Sequence, residues 1–208
     1  MFPDQQLYAF ARDDDYFFGV LHSRFHEVWA LKLGTRLETR PRYTPTTCFE
    51  TFSFPQPNEQ KIDISTAAKE LNELRENWLN PPEWTTTRIL EFPSATDGPW
   101  SRFVVDPDAR GIGTVRYARG EARDDDCAKK LAKRTLTNLY NERPAWLANA
   151  HTKLDRAVAH AYDFPVDLSD ERILERLLAL NQQRIVDEKT ATKKQPRGSR
   201  AKTDEEFV

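Results

Sequence analysis

The sequence predicts an α+β fold, a small mixed α/β N-terminal part followed by a mainly α-helical C-terminal part. Three observations predict it. Aromatic and β-branched residues flank an acidic turn over residues 7–21, LYAFARDDDYFFGVL. Apolar residues recur at helical spacing over residues 63–79. Beyond residue 124, three segments each open on a helix start signal, and the last two carry an apolar stripe.

Taken in order, residues 7–21 read as strand, turn and strand, with Asp13, Asp14 and Asp15 as the turn. Ser23 can cap a following helix in which Phe25, Val28, Trp29 and Lys32 share a spacing, and Gly34 stops it. Residues 35–57 hold Pro41, Pro45, Pro55 and Pro57 and read as irregular with short extended pieces. Ser65 is the expected cap of the next helix, whose stripe is Ala67, Leu71, Leu74 and Trp78. Turn signals at Pro93, Asp97-Gly98-Pro99 and Gly111-Ile112-Gly113 make residues 84–123 loop-rich, with one short strand near 103–105 or 114–117.

In the second half, Asp124-Asp125-Asp126 precedes CAKKLAKRTLTNLY, so acid opens a helix and base follows it, matching the helix dipole. Pro144 suits the first position of a helix to about Ala161, carrying Leu147, Leu154, Val158 and Ala161 on one side. Ser169 caps the last, with Leu168 and Ile173 placed as a hydrophobic staple and Leu174, Leu177 and Leu178 continuing the stripe. From 187 onward only Phe207 and Val208 are bulky and apolar, so a disordered tail is expected. The expected divisions are 1–60, 61–123, 124–186 and 187–208.

Composition narrows the function. The chain has 208 residues, 38% hydrophobic and 31% charged, with a net charge of −2, which excludes a uniformly basic nucleic-acid binder and places any such role in local clusters. Cys48 and Cys127 are its two cysteines and form no CxxC, which argues against a disulfide framework or zinc ribbon and fits a reducing cytoplasm. No stretch approaches the ~18 apolar residues that a membrane helix needs.

The stretch Asn80-Pro81-Pro82-Glu83-Trp84 spells almost like the catalytic Asn-Pro-Pro-aromatic loop of enzymes that methylate base amino groups. In such a loop the Asn side chain and first Pro carbonyl accept from the target amine while the aromatic stacks on the flipped base. Here Glu83 takes the stacking position, an amphipathic helix precedes the loop, and the one G-x-G, at Gly111 and Gly113, follows no apolar strand. A helix-ending turn is the better account. His22 and His26 share a helix face at i, i+4, but no third metal ligand and no HExxH accompanies them. His151, Asp155 and His160 read as helix residues of ordinary packing, since no GxSxG nucleophile elbow exists.

Two basic clusters say more. Arg24, Lys32, Arg36, Arg40 and Arg42 face only Glu27 and Glu38, and Tyr43 and Thr44 follow. Arg110, Arg116, Arg119 and Arg123 lead into Lys129, Lys130, Lys133 and Arg134. Arginine with Thr and Tyr on a proline-stiffened segment suits phosphate and base-edge contacts; a solvated surface is the bland alternative.

Several stretches together resemble one family. YFFGVLHSRFHEVWALKLGTRLETRPRYTPTTCFETFSFP is similar to the end of the target recognition domain of MmeI-type DNA methyltransferases, large modification or restriction–modification enzymes with relatives in phage defence. The matching positions are Leu21, Ser23, His26, Trp29, Gly34 to Leu37, Arg42-Tyr43 and Phe54-Pro55. ELRENWLNPPE resembles the segment that follows. The stretch from Leu139-Tyr140 through Arg143 to Leu147, His151, Leu154-Asp155, Ala161-Tyr162, Leu177 and Leu180-Asn181 resembles the family's helical C-terminal domain.

The resemblance implies that residues 1–60 complete a DNA target recognition domain and that 124–186 form the C-terminal domain. It implies double-stranded DNA as partner, with a catalytic methyltransferase domain or subunit elsewhere. S-adenosylmethionine would be the parent enzyme's cofactor, with none bound by this chain and no methyl transfer by the chain alone. Expected DNA contacts are Arg24, Arg36, Arg40, Arg42, Tyr43 and Thr44, with Arg116 and Arg119 in the second cluster. Ser23, His26 and Trp29 are expected to hold the first loop. A structural module that binds a separate methyltransferase subunit is the alternative.

Overall fold

The computed structural model describes residues 8, 10, 12–37, 40–56 and 59–194. The chain packs as two compact units, Met1–Ala68 with Thr152–Val208, and Lys69–His151.

The first unit begins with helix α1, Asp15–His22. The expected second strand is therefore a helix, and most of the expected first strand lies outside the described residues. Asp14 decides the outcome: its carboxylate caps the helix by accepting the Phe17 N–H at 2.9 Å. Tyr16, Phe17, Gly19 and Val20 then fall on one buried face, so burial overrides the β propensity of the aromatics. Gly19 lets α1 approach its neighbour closely, since a Cβ there would sit 2.9 Å from both Ala68 Cβ and Ile64 Cγ2.

Helix α2, Arg24–Leu33, runs from Ser23 to Gly34 as its apolar spacing predicts. Ser23 occupies the cap position without capping; its hydroxyl donates back to the Val20 carbonyl at 2.7 Å. Gly34 has φ −64°, so freedom of φ is not why glycine is needed. A Cβ there would meet the Ala30 and Arg42 carbonyl oxygens at 2.6 and 2.9 Å. Residues expected to be irregular form a short antiparallel ribbon, β1 (Thr35–Leu37) with β2 (Arg40–Arg42), then a wide helical turn at Pro45–Phe49.

Residues 50–55 leave that turn without regular secondary structure, and side chains from distant helices satisfy three of their carbonyls. Tyr16 donates to Pro55 at 2.9 Å, Tyr162 to Ser53 at 2.8 Å and Asn181 to Thr51 at 2.8 Å. Phe54 stacks on Phe17 at 5.4 Å between centroids, and Phe52 meets the His26 ring edge-on at 4.6 Å. The rest of this core comes from helix α3 (Lys61–Leu79), through Ile64, Ala67 and Ala68, and from two later helices. Those are α6 (Ala145–Ala161), giving Leu154, Val158 and Ala161, and α7 (Asp170–Lys194), giving Ile173 and Leu177. Ser65 lies inside α3 rather than capping it, because the helix starts at Lys61. Helix α7 reaches Lys194, so residues 187–194 are helical rather than tail; residues 195–208 lie outside the described residues.

The second unit corrects the loop-rich reading of residues 84–123. Two strands of 11 residues, β3 (Thr85–Ala95) and β5 (Ile112–Ala122), pair antiparallel from Thr85↔Ala122 to Ala95↔Ile112. The short β4 (Val104–Val105) adds to the far side of β5. Pro93 is tolerated because β3 is an edge strand. One sheet face gathers Phe92, Val115 and Tyr117 beneath Trp100, whose ring lies 5.5 Å from Phe92 and 5.3 Å from Tyr117. The expected single helix after residue 124 is two, α4 (Asp125–Leu131) and α5 (Leu136–Glu142), each with its own cap. Asp124 accepts the Cys127 N–H at 2.7 Å, and Thr135 the Asn138 N–H at 3.2 Å.

Candidate nucleic-acid interface

The first basic cluster is built on the β1/β2 ribbon. Its register sets Thr35 opposite Arg42, Arg36 opposite Pro41 and Leu37 opposite Arg40. Side chains alternate along a strand and opposed residues share a face. Arg40 and Arg42 therefore lie on one face of the ribbon and Arg36 on the other. All three are exposed, and none forms an ion pair among the described residues.

The remaining predicted residues stand behind the ribbon or away from it. Tyr43 follows β2 directly, and its hydroxyl lies 3.0 Å from His26 Nε2. Burial pushes the Tyr43 phenol up to about 12 and the His26 imidazole down to about 4. Both groups are thus neutral near pH 7. Thr44 closes the base of the ribbon, its hydroxyl 3.0 Å from that of Thr35. Ser23, His26 and Trp29 are buried, and Trp29 donates its indole N–H to Thr51 at 3.2 Å. Arg24 is committed inside the unit. Its guanidinium lies 2.6 Å from Asp170 and donates to the Leu168 carbonyl at 3.0 Å, while its own N–H donates to Asp155 at 2.8 Å.

The second cluster lies in the other unit. Arg116 pairs with Glu91 across the sheet at 2.9 Å. Arg119 stands directly opposite Arg88 on the neighbouring strand, and Arg88 has Glu121 at 3.8 Å. Sequence reading missed Arg88 because it treated this stretch as loop. The β-branched run Thr85-Thr86-Thr87-Arg88-Ile89 was the available signal.

The motifs that spell like catalytic chemistry have structural occupations. Pro81's carbonyl accepts the Trp84 N–H at 2.9 Å and the Thr85 hydroxyl at 3.0 Å, so the acceptor a target amine would need is engaged. Asn80 donates its side-chain amide to Glu76 at 3.2 Å. NPPEW is a helix stop and turn. Gly113 packs on its own chain: a Cβ there would lie 2.5 Å from the Val105 carbonyl oxygen. Gly111, at φ 76°, makes the preceding turn. The glycines of that G-x-G thus serve the turn and the close approach of β5 to Val105. His22 packs on Phe18 at 4.1 Å between centroids, and no group of three metal-ligating side chains is assembled among the described residues. Among them, no helix is long and apolar enough to cross a membrane.

Comparison with known proteins gives these features a family. Residues 1–56 match the model of the MmeI target recognition domain, and residues 119–187 match that of the MmeI C-terminal domain. DNA methyltransferase A of Bacillus subtilis (strain 168) is 30% identical over 179 residues, which is 85% of this chain and 14% of that protein. A solved structure described as the Type IIL restriction-modification enzyme MmeI in complex with DNA shares the fold. It aligns with a TM-score of 0.53 at 24% identity, over 84% of this chain and 17% of that one. The chain thus spans a small part of the relatives it matches. The chain belongs to the MmeI family, whose target recognition and C-terminal domains it matches.

Proposed function

We propose that this chain grips double-stranded DNA and positions a target adenine for N6 methylation by a catalytic domain outside it. The observation that carries the reading is the β1/β2 ribbon, with Arg36, Arg40 and Arg42 exposed and unneutralised among the described residues, inside the segment matched to the recognition domain. A major groove about 12 Å wide admits a two-stranded ribbon, and arginine offers paired donors to phosphate or to a guanine edge. Arg40 and Arg42 on one face can reach one groove wall or base step together. The matched relatives carry names that include DNA methyltransferase and a complex with DNA, which supports the choice of duplex. S-adenosylmethionine would serve the parent's catalytic domain.

The test is duplex titration by fluorescence anisotropy across a salt series. Wild type should bind weakly, with affinity falling as salt rises, because phosphate contacts release counterions. Arg40→Ala with Arg42→Ala should lower affinity about tenfold at low salt. Unchanged affinity would remove the ribbon from the interface.

One observation favours a second reading, a module that docks on a methyltransferase subunit. A mainly apolar cleft of 480 Å³ opens beside the ribbon, lined by Tyr8, Phe10, Phe17, Phe18, His26 and Tyr43 among others. Tyr8 and Phe10 are 40% and 38% exposed, enough to offer a partner apolar area. Co-purification with a catalytic subunit, lost on Phe10→Ser, would support it.

A further inference from the structure

We propose that the Lys69–His151 unit carries a separate site for the phosphate groups of a DNA backbone, built on Trp78, Trp84, Lys130, Lys133 and Arg134. The site deepens the DNA-binding reading and rests on it for the source of the phosphate. Trp78 lies in the last turn of helix α3, and Trp84 closes the NPPEW turn. The Arg134 guanidinium lies over both indoles, 4.3 Å from the Trp78 centroid and 5.0 Å from that of Trp84. The Lys130 ammonium lies 5.4 Å from the Trp84 centroid. With Lys133 and Glu142 these side chains line a cleft of 260 Å³.

The charge balance is what needs explaining. Three cations converge on one carboxylate, and none of the three forms an ion pair within 4 Å among the described residues. Their neighbour Lys129, by contrast, pairs with Asp126 at 3.1 Å. Asp124 feels the Lys130 charge, but its carboxylate is engaged by the Cys127 N–H. Like charges gathered in a concave site repel one another, and the indole faces offset only part of that. An anion in the cleft offsets the rest.

The rings also select the ligand. Both indoles already carry cations on their faces, so the cleft offers no open platform for a stacking base. A guanidinium held over the rings keeps its edge N–H groups for oxygen acceptors. The cleft therefore reads charge and not sequence. Phosphate oxygens of the duplex backbone fit, and contact there would add grip without specificity.

The experiment uses the full chain, with duplexes of several sequences titrated across a salt series. Lys130→Ala with Lys133→Ala changes two exposed side chains, and circular dichroism confirms the fold. Affinity should fall about tenfold for every sequence, and the slope of log affinity against log salt should shrink by about two. Unchanged affinity and slope while wild type binds would overturn the site and leave the DNA reading standing. Loss confined to one sequence would overturn the backbone assignment. If wild type binds no duplex, the DNA reading fails and the site is read with pyrophosphate, followed by tryptophan fluorescence. A response lost in the double variant and in Arg134→Ala supports an anion cleft; no response in wild type ends the proposal.

Discussion

The Nε2 atom of His26 lies 3.0 Å from the hydroxyl of Tyr43, and its Nδ1 atom is buried with no hydrogen-bond partner among the described residues. The imidazole thus depends on one neighbour. Tyr43→Phe should cost about 1–2 kcal/mol, because it leaves a second buried polar atom unsatisfied. Urea unfolding followed by circular dichroism measures this. A change below a few tenths would show that the bond does not support the ribbon.

The same histidine makes stability depend on pH. Burial depresses its pKa from the ordinary 6.5 to about 4 in the fold. The unfolded chain therefore takes up a proton before the folded one does. The stability it contributes is complete above pH 6.5 and is lost as pH falls towards 4, by about 3 kcal/mol across that window. His151, also held below its usual value by burial and by Arg75 and Arg143, acts in the same direction. Urea midpoints should decline from pH 7 to pH 4.5, and His26→Gln should flatten that decline.

Gly19 sits where a side chain has no room. Gly19→Ala would bring a methyl within 2.9 Å of Ala68 and Ile64 and is expected to cost about 1–3 kcal/mol. An exposed glycine gives the control: a Cβ on Gly120 meets nothing within 4 Å, so Gly120→Ala should be tolerated. Melting temperatures of the two variants compare them directly.

Arg24 belongs to the fold's own electrostatics. Its pair with Asp170 is partly exposed, with side-chain accessibilities of 39% and 57%, which limits its worth to about 0.5–1 kcal/mol. Arg24→Ala should lower stability by that amount and leave duplex affinity within twofold. A tenfold loss of affinity at unchanged stability would move Arg24 into the interface.

Helices were legible where an apolar stripe met a hard stop. Leu147, Leu154 and Val158 behind Pro144, and Leu71 ahead of Pro81, read the same way in sequence and in structure. Helix α1 was not, because Tyr16, Phe17 and Phe18 favour strands and only the Asp14 cap argues otherwise. Strands β3 and β5 were obscured by exposure. Residues 86–89 of β3 and 116–120 of β5 are exposed on both faces, so polar and charged residues break the alternation that burial on one face would impose. The ribbon arginines were visible as a cluster, but their division between two faces depends on register, which sequence does not carry. Lys130, Lys133 and Arg134 were visible as a run, whereas the two indoles beneath them are brought there only by the turn after Asn80.

The carbonyls of Thr51 and Ser53 find their donors in Asn181 and Tyr162, more than a hundred positions later. A ribosome releasing this chain exposes Phe52 and Phe54 well before either donor emerges. These backbone bonds can therefore close only after α6 and α7 have been made. For the same reason, a relative that receives residues 51–53 must offer a tyrosine and an asparagine where Tyr162 and Asn181 stand here.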